Sequence, residues 1–338
     1  MSLRIAINGF GRIGRNTLKA GWGRKGIEFV AVNDLMPPAT LAHLLTYDSV
    51  FRKWDHEVSA GADHLVIDGK KIPVVAEREP EKLPWAKYKV DVVIESTGRF
   101  TNQESASAHL KAGAKRVVIS APAKEVPTFL MGVNHEKLTG AEKVSNNASC
   151  TTNSIAPVAA IMQEEFGIKK ALMTTIHSVT AEQNLVDGPP PALHPDLRRA
   201  RSALVNIVPT STGAAKATTE TIPALKGIFD GIAVRVPTID VSLSDFTFLL
   251  AKKTTVEEVN DVFRKAAKSP RWKGILAVTE EPLVSSDFIG NPHSSVVDLL
   301  MTRVVDGDLV KVLAWYDNEW GYSVHLIDMV MEVGKRIS

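Results

Sequence analysis

Three groups of residues in this chain have types and spacing that could do chemistry. The first is Gly9-Phe10-Gly11-Arg12-Ile13-Gly14, a G-x-G-x-x-G run that leaves an apolar segment and enters a helix-like one. In that setting Gly9 permits a tight turn, Gly11 lets the backbone approach a pyrophosphate, and Gly14 lets a helix pack closely on a strand. The amino end of the helix then offers N–H groups to the anion. The second is Asp34, just past a second apolar segment, where a carboxylate accepts hydrogen bonds from the adenosine ribose hydroxyls. Leu35 to Ala39 holds no Arg or Lys to receive a 2′-phosphate, so the spacing favours NAD over NADP. The third is Cys150, the only cysteine, set in Ala148-Ser149-Cys150-Thr151-Thr152-Asn153 at the apparent start of a helix. A helix N-terminus favours a thiolate. By itself this pattern fits a nucleophile and also fits a small structural thiol.

These residues need elements to position them. Leu3 to Asn8 and Glu28 to Val32 read as short apolar strands around a helix, a βαβ opening. Similar runs recur at Val90 to Ile94 and Arg116 to Ser120, separated by helix-forming segments such as Asn102 to Ala112, which predicts a parallel sheet covered on both faces. Thr97 and Gly98, at the end of the third of these strands, are placed against the cofactor. From Ala148 the pattern changes. Asn153 to Glu165 reads as a helix, and long β-branched runs follow at Ala171 to Ile176, Ile232 to Leu250 and Leu309 to Tyr316. Thr255 to Glu258 fits a capping box before a helix with Val256, Val259, Phe263 and Ala267 on one face, and Tyr322 to Ile337 reads as an amphipathic terminal helix. The expected fold is α/β: an N-terminal Rossmann dinucleotide-binding domain over residues 1–149, completed by a C-terminal helix at 317–338. An α+β catalytic domain with a mixed or antiparallel sheet is expected over 150–316.

A chain of 338 residues can bury a sizeable core and suits two domains of roughly 100–200 residues each. Hydrophobic residues at 44% and charged ones at 23% exclude disordered and fibrous classes. No apolar run approaches the ~20 residues of a membrane-spanning helix, and no signal peptide is recognisable, so no membrane partner and a cytoplasmic location are expected. A net charge of +2 is far from that of a dedicated nucleic-acid binder. The one dense basic cluster, Arg198, Arg199 and Arg201, reads as a salt-bridged loop or a subunit interface, and Gly188 to Pro191 as a rigid exposed loop.

Five segments carry a resemblance. Ile7 to Arg15 (INGFGRIGR), Ser149 to Asn153 (SCTTN), Thr210 to Ala217 (TSTGAAKA), Arg235 to Thr238 (RVPT) and Trp315 to Tyr322 (WYDNEWGY) resemble the glyceraldehyde-3-phosphate dehydrogenase family, in its order and across the whole chain. The resemblance implies an NAD-dependent, phosphorylating oxidation of glyceraldehyde 3-phosphate in glycolysis or gluconeogenesis. Cys150 would attack the aldehyde, His177 would act as its base, and inorganic phosphate would cleave the resulting thioester. Arg235 and Thr180 match the substrate-phosphate positions, and Ser149, Thr151, Thr212 and Gly213 the inorganic-phosphate positions. Asn8, Arg12, Ile13, Arg78, Ser120 and Asn318 are implied to join Gly9, Gly11, Gly14 and Asp34 around NAD. A homotetramer is implied, and no metal.

The chain departs from the family pattern in two places. Ser154 stands where many members carry a second cysteine, so an oxidised Cys150 has no internal disulfide partner. Asp187 to Asp196 (DGPPPALHPD) is rich in proline. An erythrose-4-phosphate dehydrogenase is the neighbouring alternative, opposed by Thr210 to Ala217 and by Asn33-Asp34. A non-catalytic NAD-binding protein is opposed by the joint presence of Cys150, His177 and Arg235.

Overall fold

The first strands are short because each is buried on both faces and needs only a few apolar residues to cross the core. The computed structural model describes residues 2–190 and 195–337, so Pro191 to His194 of the proline-rich segment lie outside the described residues. The chain divides into two compact units, Met1–Ala148 with Ser323–Ser338, and Ser149–Tyr322.

In the first unit the strands are β1 (Leu3–Asn8), β2 (Ile27–Asn33), β3 (Tyr47–Asp48), β4 (Arg52–Lys53), β5 (Val58–Ala60), β6 (His64–Ile67), β7 (Lys70–Val75), β8 (Val92–Glu95), β9 (Arg116–Ile119) and β10 (Val144–Asn146). Eight of them form one sheet in the order β10-β9-β8-β1-β2-β7-β6-β5. From β10 to β7 the pairs are parallel, whereas β5, β6 and β7 form an antiparallel meander at one edge that the strand pattern did not reveal. The chain runs to β2 on one side of β1 and later returns as β8 on the other, so the strand order switches at β1. In an open parallel sheet, ligands bind at the carboxyl ends beside such a switch. The register levels Asn8 with Asn33 and with Glu95 at that edge. The helices are α1 (Arg12–Gly21), α2 (Pro38–Thr46), α3 (Gln103–Ala106) and α4 (Ala108–Lys111). The single helix expected over 102–112 is thus two short ones joined at Ser107, whose hydroxyl donates back to the Gln103 carbonyl oxygen and so competes with the helical ladder.

The second unit holds α5 (Cys150–Phe166), β11 (Ile168–His177), β12 (Val208–Ser211), α6 (Ala214–Thr221), β13 (Phe229–Arg235), β14 (Ser242–Leu250), α7 (Val256–Lys268), β15 (Leu276–Thr279), β16 (Ser295–Val305) and β17 (Leu309–Tyr316). Its seven-stranded sheet runs β12-β13-β11-β14-β17-β16-β15. It is mixed: β11 pairs parallel with β13 and antiparallel with β14. The β-run expected over 232–250 is therefore two strands. Pro237 cannot donate to a ladder, and Val241 at φ +67° breaks the extended backbone between them. The capping box forms as expected: the Thr255 hydroxyl accepts from the Glu258 amide, and the Glu258 carboxylate accepts from the Thr255 amide. The terminal helix, α8 (Trp320–Gly334), starts two residues before the expected Tyr322. Asp317 Oδ1 accepts the Glu319 and Trp320 amides there.

Candidate active site

Strand register assembles the reactive residues. His177 ends β11 opposite Arg235 at the end of β13, because these strands pair in parallel and in step. Cys150 is the first residue of α5, and the N-cap Ser149 accepts the Thr152 amide through its hydroxyl at 3.1 Å. Cys150 Sγ lies 3.4 Å from His177 Nε2. On the other side of the ring, Nδ1 lies 2.7 Å from the Ser178 carbonyl oxygen and 2.6 Å from Arg235 Nη1. Arg235 Nη1 also donates to the Ser178 carbonyl oxygen at 3.0 Å, and a proton on Nδ1 directed to that same oxygen would leave the Nε2 lone pair facing the thiol, as a base needs.

Tyr316, at the end of β17, was not among the sequence candidates. Its hydroxyl bridges Thr151 Oγ1 at 3.0 Å and Thr175 Oγ1 at 2.8 Å, and its ring meets the His177 ring edge to face. Asn318 is held two residues further on. Its Oδ1 accepts from the hydroxyls of Ser178 (2.8 Å) and Ser242 (2.7 Å), which leaves its NH₂ to donate outward.

Burial sets the electrostatics of the pair. It holds His177 far below the usual imidazole value, to about 3, with the Arg235 charge acting in the same direction and the Ser178 carbonyl opposing. It pushes the Cys150 thiol up, to about 11, against the pull of Arg235 and Thr151. The resting pair is therefore a neutral thiol beside a neutral imidazole. The amino end of α5 favours an anion at the sulfur.

Several donors face no protein acceptor. The hydroxyls of Thr180 and Thr238 are buried and have no hydrogen-bond partner among the described residues. Leaving a hydroxyl so costs about 1–3 kcal/mol unless a ligand or water satisfies it. Thr212 and Gly213 stand at the amino end of α6, where the Thr212 hydroxyl accepts the Ala214 amide. Of the basic cluster, Arg198 and Arg201 pair with Asp196 and Asp187 as a salt-bridged loop should. Arg199 differs: it donates to Thr210 Oγ1 and to the Ser211 carbonyl oxygen. Burial and then the Arg235 charge lower its pKa. Two guanidinium groups close enough to repel make an attractive place for an anion. The sequence signal for Arg199 was hidden by its neighbours.

In the first unit the glycines answer to their surroundings. Gly9 has φ +92°, and a Cβ there would lie 2.7 Å from the Thr97 nitrogen. A Cβ on Gly14 would lie 2.2 Å from the Gly9 oxygen, whereas at Gly11 nothing lies within 4 Å. A loop with one open glycine at a helix N-terminus, beside a switch in strand order, fits a pyrophosphate. Asp34 accepts the Phe10 amide on one oxygen (2.8 Å) and the Met36 amide on the other (3.0 Å), which aims its free lone pairs outward. Ile13 lies in the first turn of α1, and Ser120 and Gly98 follow the ends of β9 and β8. Arg78 is exposed.

Other side chains there are already committed. The Arg12 guanidinium pairs with Asp48 at 2.6 Å. Asn8 donates to Glu95 (2.5 Å) and accepts from Asn33 (2.7 Å). Glu95, fully buried, also takes the Thr97 amide and hydroxyl and lies 3.0 Å from His109 Nε2, while Trp85 donates to His109 Nδ1. With Nδ1 accepting, the imidazole must give its Nε2 proton to Glu95. This network under the dinucleotide loop had no sequence signal beyond isolated polar residues in apolar strands.

Comparison with known proteins agrees across the chain. Residues 149–318 match the family model for the glyceraldehyde 3-phosphate dehydrogenase C-terminal domain, and residues 3–103 match that family's NAD binding domain. The chain is 52% identical to glyceraldehyde-3-phosphate dehydrogenase of Geobacillus stearothermophilus, with 99% of each chain covered. It is 50% identical to the enzyme of that name from Zymomonas mobilis, with all of each chain covered. It is also 51% identical to that of Mycolicibacterium smegmatis, again with all of each chain covered. Neither the erythrose enzyme nor a non-catalytic NAD-binding protein is favoured by these matches. Two domain models in order and relatives of equal length make the chain a member of the glyceraldehyde-3-phosphate dehydrogenase family of NAD-dependent oxidoreductases.

Proposed function

We propose that this chain converts D-glyceraldehyde 3-phosphate and inorganic phosphate to 1,3-bisphosphoglycerate. Residues 1–149 with the terminal helix would bind NAD, and 150–316 would do the chemistry. The observation that carries this is the 3.4 Å approach of Cys150 Sγ to His177 Nε2, with Arg235 on the far side of the ring. Cys150 sulfur bonds to the aldehyde carbon, and its proton passes through His177 to the carbonyl oxygen. His177 then takes that hydroxyl proton back as the carbon is oxidised to a thioester. NAD, when bound, supplies the hydride acceptor. Phosphate oxygen attacks the thioester carbon, the C–S bond breaks, and His177 reprotonates the thiolate. The Cys150 amide and the His177 ring steady the oxyanion. Arg235 and the partnerless Thr180 hydroxyl suit the phosphate of the sugar. Ser149, Thr151, Thr212 and Gly213, with Arg199 alongside, suit the attacking phosphate.

Asp34 and the glycine loop serve the adenosine half of the cofactor, and Asn318 the other half. A homotetramer in the cytoplasm belongs to the same reading. In its support, one face of the seven-stranded sheet carries exposed Leu172, Ile232 and Leu309, two of which line a groove of about 600 Å³, and exposed apolar side chains gathered on one face suit a subunit contact. The test follows NADH absorbance with glyceraldehyde 3-phosphate and NAD, with and without inorganic phosphate, for wild type and Cys150→Ser. Sustained turnover that requires phosphate and disappears in the variant is expected. Turnover without phosphate would mean a hydrolytic aldehyde dehydrogenase and would overturn the assignment.

A further inference from the structure

Beneath the candidate site lie two carboxyl groups close enough to act on each other, Asp240 and Asp317, both almost fully buried. Their surroundings are unequal. Asp317 accepts three backbone amides, from Gly290 (2.7 Å), Glu319 (3.0 Å) and Trp320 (2.6 Å). Neither carboxyl oxygen of Asp240 accepts a hydrogen bond from any donor among the described residues. Two carboxylates so close cannot both stay ionised out of water, and the one without donors is the one that keeps the proton.

The pair also joins two segments that bear on the site. Asp317 directly precedes Asn318, and Asp240 lies two residues before Ser242, whose hydroxyl donates to Asn318. Ser242 pairs with Tyr316 across β14 and β17. Between Asp240 and Ser242 stands Val241, a β-branched residue held at φ +67°, a strained conformation that persists only where its neighbours over-determine it. The segments are thus tied by Ser242 to Asn318, with Asp240 and Asp317 on either side of that tie.

We propose that Asp240 is a positioning residue: it carries a proton in the folded protein and donates it to Asp317. The shared proton holds Asn318 in place for the cofactor and keeps negative charge away from Cys150. This rests on the roles given above to Asn318 and Cys150. Burial, and then Asp317 and Glu319, raise the Asp240 carboxyl far above the usual carboxylate range. The titratable groups facing it are Asp317, Glu319 and Cys150, and its charge acts to raise the Cys150 thiol. Losing the proton replaces that shared proton by two like charges close together. A group whose folded pKa is raised contributes stability at low pH that is lost as pH rises toward that pKa.

The first measurement is the infrared C=O stretch of a protonated carboxylic acid in the intact wild-type enzyme, scanned from neutrality into the alkaline range. A band that survives at neutral pH, when exposed acids are ionised, and disappears at higher pH is expected. Asp240→Asn, which keeps a donor but cannot ionise, should lack it. The thermal midpoint of the variant should gain on that of wild type with each pH unit across the neutral range. Above the ionisation, the wild-type KM for NAD should rise toward about tenfold per pH unit, the limit for one proton, while the variant stays flat. Absence of the band at neutrality, or a midpoint difference that does not change with pH, would overturn the proposal. If Asp240→Asn does not fold, the wild-type band decides alone. The band reads the proton without turnover, so its failure is distinct from failure of the proposed activity.

Discussion

His177 is neutral over the whole working range because burial and Arg235 both oppose a second positive charge. The unfolded imidazole binds a proton below about 6.5, and the folded one does so only near 3. Folding therefore loses stability as pH falls through that window. His177→Asn should remove this acid-side loss, seen as a flatter thermal midpoint between pH 6 and 4, while kcat falls by about 10²–10⁴. An unchanged pH slope would mean that His177 is protonated in the fold. Cys150 and the motif around His177 were readable in the sequence, since few segments place a lone thiol and an imidazole in such polar company. The guanidinium on the far side of the ring and the Tyr316 bridge were not. They depend on β11, β13 and β17 meeting, and no spacing within one strand records which residue lies opposite.

Helix α1 and the turn before it were legible as an element, because three glycines at fixed offsets follow an apolar strand. The structure separates their tasks. Gly14→Ala would drive a Cβ into the Gly9 carbonyl and should cost about 1–3 kcal/mol of stability as well as NAD affinity. Gly11→Ala meets nothing in the protein, so its thermal midpoint should hold while its KM for NAD rises. Calorimetry beside NAD titration distinguishes them, and equal destabilisation by both would refute an open approach at Gly11. Other elements were read less well. The edge meander β5-β6-β7 escaped notice, since strands of a few half-buried residues leave little periodicity. The run over 232–250 looked continuous, although Pro237 and the strained Val241 divide it just where Asp240 and Ser242 are needed.

The whole molecule consists of two units, each with its own sheet, and the catalytic unit leaves one sheet face uncovered by helices. Leu172 is 65% exposed and Ile232 51% on neighbouring strands of that face. Replacing both by Glu should leave the fold intact and dissociate the proposed tetramer, read as a fall in mass by light scattering. Unchanged mass would place the subunit contact elsewhere. Local sequence by itself determined the α/β opening, the glycine run into α1 with Asp34 after the second strand, the thiol at the head of α5 and the family resemblance, because each is written in residues a few positions apart. Only the tertiary structure decided what those residues meet: Arg235 behind His177, Arg199 drawn out of a basic cluster, Glu95 and His109 beneath the cofactor loop, and Asp240 against Asp317. These residues lie 11 to 77 positions from their partners in the chain. Strand register and burial bring them together and shift their charges, and neither quantity exists until the sheets have formed.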